Sequence, residues 1–196
     1  MNTFVLLIRH AKPAVASGIL YGSTDIPLSP EGVQEAKNLA PILGNLDVHQ
    51  VLSSPLRRAR STAEATGLPP ETIPGFREIH LGTWEMISSQ DLKQHDPQAF
   101  QDRWKHLETF RPPGGESFQD LADRTIPALR QLVSSSDGVL VVFGHLGVFR
   151  AVLWRELNIP LKTTFSIAQD HCGIHVLEYG KAGVHLIRVN WRPSVI

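Results

Sequence analysis

The stretch Thr3-Phe4-Val5-Leu6-Leu7-Ile8-Arg9-His10 is apolar from Phe4 to Ile8 and then stops abruptly in a cation and an imidazole. A run this short, rich in branched residues and without a polar alternation, reads as a strand buried on both faces. The pattern returns at residues 139–143, Val-Leu-Val-Val-Phe, which end in Gly144-His145. A third short strand is expected at residues 48–53, running into Ser53-Ser54. Between them stand helix signals. Ser29-Pro30 offers an N-cap with proline at the first helical position, and Val33, Ala36, Ala40 and Leu43 recur at helical spacing up to Gly44. Ser54-Pro55 repeats the signature and opens a helix to about Thr66, with Arg58 in its first turn. After the break at Pro112-Pro113-Gly114-Gly115, Phe118, Leu121, Thr125, Ala128, Leu129 and Leu132 mark a helix that contains Pro127. Helical spacing also runs from Val148 to Leu157, and the tail from Thr164 to Trp191 alternates with glycine turns, suggesting edge strands or a hairpin. Alternating strands and helices predict a three-layer α/β/α sandwich with a mostly parallel central sheet. A helical insertion is expected at about residues 86–117, with Trp84, Phe100, Trp104, Phe110 and Phe118 as its packing.

Composition bounds the function. The 196 residues suit one domain, 1–196, with 42% hydrophobic and 19% charged residues. Nineteen Lys plus Arg balance nineteen Asp plus Glu, so no bulk positive field draws nucleic acid or an anionic membrane, and neither is expected as a partner. The apolar start is shorter than the ~7 to 15 residues of a signal-peptide core. With the lone Cys172, this makes the cytoplasm the expected location. His171, Cys172, His175 and His185 invite a zinc reading, but their spacing fits no familiar ligand motif, and no metal is expected. Neither a P-loop nor a Gly-x-Gly-x-x-Gly stretch is present, so no nucleotide cofactor is expected either.

In open α/β sheets, ligands bind beyond the carboxyl ends of the strands. There the sequence would gather Arg9-His10, Arg58 and His145. Two guanidiniums and two imidazoles suit a dianionic phosphoryl group, with a neutral imidazole as nucleophile and fixed arginines neutralising the transferred oxygens. The leaving oxygen needs a proton. Glu78 is the candidate donor, close in sequence to Trp84, which offers an apolar wall of the kind that raises a carboxyl pKa; Glu85 and Glu116 stay open as alternatives. Glu116 could instead orient a loop, and Ser117 reads as an N-cap.

These residues carry a resemblance. Leu7-Ile8-Arg9-His10, the run Tyr21-Gly22-Ser23-Thr24-Asp25, the segment Ser53-Ser54-Pro55-Leu56-Arg57-Arg58-Ala59-Arg60, Glu78 through Glu85, Gly114-Gly115-Glu116-Ser117-Phe118 and Gly144-His145-Leu146-Gly147 follow in one order that is similar to the histidine phosphatase superfamily, with its phosphoglycerate mutase-like fold. Within it the chain most resembles the α-ribazole phosphatase branch. The resemblance implies that His10 becomes phosphohistidine, that Arg9, Arg58 and His145 hold the phosphoryl oxygens, and that Glu78 serves as the acid. It also places Ser23, Thr24 and Leu146 near the substrate. Two positions depart from the usual pattern, Ala11 and Leu146 standing where glycine is common. The expected activity is a metal-independent phosphomonoesterase acting on a small-molecule phosphate ester, with α-ribazole 5′-phosphate the substrate the branch suggests. The alternatives are a phosphoglycerate mutase-type phosphoryl transferase and a non-catalytic phosphate- or partner-binding protein of the same fold. A homodimer through the edge strands is compatible with the sequence and not required by it.

Overall fold

A computed structural model describes residues 2–192. In chain order its elements are β1 (Thr3–Arg9), β2 (Ile19–Leu20), α1 (Pro30–Lys37), α2 (Ala40–Leu43), β3 (Val48–Ser53), α3 (Arg57–Glu64), β4 (Glu71–Thr72), β5 (Ile87–Ser88), α4 (Ser89–His95), α5 (Pro97–Lys105), α6 (Phe118–Ser134), β6 (Val139–Gly144), α7 (Leu146–Leu157), α8 (Leu161–Thr164), β7 (Ile174–Gly180) and β8 (Gly183–Trp191). Six strands form the main sheet in the order β4-β3-β6-β1-β7-β8. The first four run parallel; β7 runs against them and pairs antiparallel with β8 in the hairpin expected of the tail. Alternation along β1 sends Val5 and Leu7 into a core with Phe76, Phe118, Leu129 and Phe149, and Leu6 and Ile8 into a second core with Ala36, Leu43 and Ala63. The sheet is therefore covered on both faces, α6 and α7 on one side and α1 to α3 on the other.

Local chemistry moves three boundaries. The helix expected from Ser29 to Gly44 is divided in two at Asn38-Leu39, because Pro41 has no N–H to offer the carbonyl one turn back. Val33, read as part of the apolar face, is 40% exposed, and Gly32 and Ala36 are the residues that α1 buries. A Cβ on Gly32 would lie 2.0 Å from the Lys12 carbonyl oxygen, so the glycine lets α1 approach the chain leaving β1. The helix after β3 begins at Arg57 instead of next to Ser54: its N-cap is Leu56, with no side-chain capping bond. The tail becomes strand only at Ile174, since α8 and turns occupy residues 161–173. The Ser117 cap holds, as a capping box with Asp120.

The insertion contains α4 and α5 but is anchored by a two-stranded ribbon, β2 pairing with β5. Its aromatics pack as expected. Trp84 lies 5.3 Å from Phe110, and both Trp104 and Phe118 stack edgewise on Phe165, which is contributed from beyond α7. Among the described residues no helix is long and apolar enough to cross a membrane.

The sheet also buries His175, on β7. Its Nδ1 accepts from the Asn190 N–H (3.0 Å), and burial pushes its pKa down to about 4, against 6.5 ordinarily. As pH falls, the unfolded chain takes up this proton before the folded one. The contribution is thus present above about 6.5 and is lost progressively as pH drops towards 4. His175→Gln is expected to flatten the fall of the urea unfolding midpoint between pH 7 and pH 5; an unchanged slope would remove His175 from the account.

Candidate active site

Strand register builds the site. Arg9 pairs with Gly144 and Ser53 with Phe143, so β1, β3 and β6 end level with one another. Backbone bonds carry the alignment one residue further: His10 N–H donates to Gly144 O (2.9 Å) and Ser54 N–H to Phe143 O (3.0 Å). Consequently His10, Ser54 and His145 emerge at one edge, with the His10 and His145 ring centroids 5.2 Å apart.

The first imidazole is held with one nitrogen free. His10 Nδ1 lies 2.8 Å from the Ala11 carbonyl, which can only accept, so the ring proton sits on Nδ1 and the Nε2 lone pair is available. Burial, reinforced by the Arg58 and Arg9 cations, holds its pKa well below the usual histidine range. His145 is depressed likewise, by burial first and then Arg58. Its Nε2 lies 2.7 Å from Ser54 Oγ, which accepts from Leu56 N–H (3.2 Å) and has Nε2 as the acceptor for its own proton, so the ring proton sits on Nδ1. The serine that reads as a helix cap thus orients an imidazole. Arg58 gives its two terminal nitrogens to the carbonyls of Thr24 and Gly22, each at 2.7 Å, beneath the Tyr21 ring. Arg9 donates to Gln169 O (2.7 Å). What stays unpartnered is a set of buried nitrogens around His10: Arg9 Nε, Arg58 Nε and His145 Nδ1. Buried donors without acceptors are costly, and their grouping marks a place for an anion.

The three acids separate cleanly. Glu78 Oε1 accepts from Ile79 N–H (2.8 Å) and Oε2 from Gly147 N–H (2.9 Å) at the start of α7. A Cβ on Gly147 would fall 2.3 Å from Glu78 Oε1, so this glycine makes room for the carboxylate. Glu116 is locked in a two-pronged pair with Arg124 and accepts from His80 N–H; the same Arg124 donates to the carbonyls of Gly75, Arg77 and Glu78 and so braces that segment. Glu85 gathers the Ser23 hydroxyl and N–H, the Thr24 hydroxyl, the Leu81 N–H and His80. Burial opposes its ionisation, but these bonds bring its pKa down to about 2. Glu78 alone of the three lines the cleft shared with His10, a space of about 260 Å³.

Some expectations change. Ser23 and Thr24 do not line that cleft; their side chains are engaged by Glu85, and it is the Thr24 carbonyl that contributes, through Arg58. Trp84 packs with Phe110 and under Arg103, and the Glu78 carboxylate is held by backbone N–H groups. Leu146 lines the cleft as expected, and Ala11 sits without a left-handed backbone, its N–H donating to Thr62 Oγ1. Three polar lining residues went unassigned from sequence. Tyr21 lies within a quoted motif. Arg150 falls one helical turn after Leu146, a spacing that could have found it. Arg103, on the insertion, gave no signal. His171 bounds a neighbouring cleft, its ring 5.5 Å from His10. Among the described residues, no three His, Cys, Asp or Glu side chains come together as a metal site.

The whole architecture has known counterparts. The sequence matches the profile of the histidine phosphatase superfamily (branch 1) over residues 5–192. It is 31% identical over 199 residues to an adenosylcobalamin/alpha-ribazole phosphatase of Salmonella typhimurium, covering 96% of this chain and 98% of that one. It is 32% identical over 162 residues to a metal-independent phosphoserine phosphatase of Arabidopsis thaliana, covering 78% and 68%. The fold superposes on mycobacterial glucosyl-3-phosphoglycerate phosphatase in complex with inorganic phosphate with a TM-score of 0.83 at 27% identity, covering 96% and 97%. By the match along nearly its full length, with phosphatases as its relatives, the chain belongs to the histidine phosphatase superfamily, branch 1.

Proposed function

We propose that this phosphatase hydrolyses small-molecule phosphomonoesters through a phosphohistidine on His10, without a metal. The observation that carries the reading is the trio of buried, unpartnered donors, Arg9 Nε, Arg58 Nε and His145 Nδ1, around an imidazole whose Nε2 is free. In this scheme Nε2 attacks phosphorus while the bond to the ester oxygen breaks. Guanidiniums and the second imidazole bear the charge on the non-bridging oxygens. Glu78 gives its proton to the leaving oxygen. It then takes one from a water that attacks the phosphohistidine, releasing phosphate and restoring His10. Both imidazoles are suited to this because burial keeps them neutral, one as nucleophile and one as donor.

Leu146, Gly147 and Tyr21 would form the walls nearest the transferred group. For the alcohol, α-ribazole 5′-phosphate, phosphoserine and glucosyl-3-phosphoglycerate are what the names of the relatives offer, and the shared core serves any of them. An assay of phosphate release from a panel of esters, with isomerisation of phosphoglycerates followed alongside, separates hydrolysis from mutase activity.

Three substitutions test the scheme. His10→Ala is expected to abolish turnover and the acid-labile phosphoenzyme trapped by rapid quench; turnover surviving in that variant would sink the nucleophile assignment. Glu78→Gln should slow alkyl esters by about 10² to 10⁴ and an aryl phosphate much less, since a good leaving group needs little protonation. Equal losses on both would remove Glu78 as the acid. Gly147→Ala should reproduce the leaving-group dependence of Glu78→Gln by displacing the carboxylate, and lower the melting temperature through the backbone N–H groups left without an acceptor. A variant with unchanged kinetics would contradict the close approach.

A further inference from the structure

The cleft holds more positive charge than a phosphoryl group uses. Beyond Arg9, two guanidiniums line it, Arg103 from α5 and Arg150 from α7. Neither pairs with a carboxylate nor donates a hydrogen bond among the described residues, and Arg150 Nε is buried without a partner. Both guanidinium carbons lie over aromatic rings, Arg150 at 3.8 Å from the Phe165 centroid and Arg103 at 5.8 Å from Trp84 and 5.7 Å from Phe118. An aromatic ring attracts the charge but takes no place in the N–H fork, the edge that recognises a carboxylate. Arg150 also feels Glu78, Arg9 and Arg103, so these charges share one electrostatic neighbourhood.

We propose that Arg103 and Arg150 form a second anion subsite, and that the substrate is a phosphomonoester bearing a carboxylate a few bonds from its ester oxygen. The proposal rests on the phosphatase reading above. A phosphoryl dianion matches Arg9 and Arg58, which leaves Arg103 and Arg150 for a further anionic group, and the planar N–H fork of a guanidinium fits a planar carboxylate. The apolar walls, Ile19, Leu20, Leu81 and Phe165, leave no acid of the protein's own to fill that place. Such a site favours phosphorylated hydroxy acids and amino acids over α-ribazole 5′-phosphate, whose one acidic group is the phosphoryl itself.

The test is a pair of substrates that differ at one carbon, 3-phosphoglycerate and glycerol 3-phosphate, with an aryl phosphate as general probe. Wild type is expected to show kcat/KM at least about tenfold higher for 3-phosphoglycerate, a ratio that shrinks with added salt. Arg103→Gln and Arg150→Gln should each reduce the ratio by about tenfold. A purely structural role would lower both substrates together and leave the ratio intact, and that result, or a wild-type ratio near one, overturns the subsite. If wild type turns over none of the three, the phosphatase reading has failed separately. The subsite is then judged by calorimetry of the two esters, where equal affinities refute it and a preference lost in either variant upholds it. The wild-type ratio needs no variant, and Arg103, on the insertion and outside the central cores, guards against misfolding of Arg150→Gln.

Discussion

Positive charge held out of water is the constraint on which this structure turns. Guanidiniums cannot shed their protons, so burying Arg58 fully requires acceptors in place of hydration. The protein supplies backbone carbonyls, from Gly22 and Thr24 for Arg58 and from Gln169 for Arg9. Carbonyls satisfy the hydrogen bonds without cancelling the charge, so the field persists. Imidazoles beside them answer differently: burial first, and then these cations, disfavour a proton on His10, His145 and His171. One condition, burial beside cations, thereby sets the charge of both kinds of group at this edge, the guanidiniums and the neutral imidazoles.

The loops around the edge serve that condition. Glu85 ties residues 23–24 to residues 80–81, and the turn it holds carries the two carbonyls that grip Arg58. A Cβ on Gly22 would come within 2.8 Å of Glu85, Ile79 and Leu81, which shows how tightly the two loops meet. On the opposite side Arg124 spans α6 and the turn before Glu78, so the Glu78 backbone is fixed by a bridge from the helix layer.

Much of this was legible in sequence because it is local. Buried strands that end in Arg-His, Ser-Ser and Gly-His announce both their structure and the edge they share, and Ser117 announces its own cap. What escaped is long-range or double-purposed. Ser54 satisfies a capping pattern and also meets His145, so the helix starts later than its signature. Ser23 and Thr24 sit in the right loop but turn to an acid some sixty residues away. Arg103 lies in a polar stretch where an arginine ordinarily belongs to a solvated face, and only the docking of the insertion against Phe118 and Phe165 turns it inward. Pro41 did carry a signal, and its missing N–H explains the divided helix.

The strand that carries His10 lies in the interior of the sheet, and both strands that flank it, β6 and β7, come from the last third of the chain. Its apolar residues have no lasting partner while most of the polypeptide is still being made. Pairings this distant in sequence slow folding and leave an unpaired, aggregation-prone edge in the meantime. His10 is thus nearly the first part of the protein to be synthesised and among the last to be assembled, and a chain truncated before β6 carries it without the cleft around it.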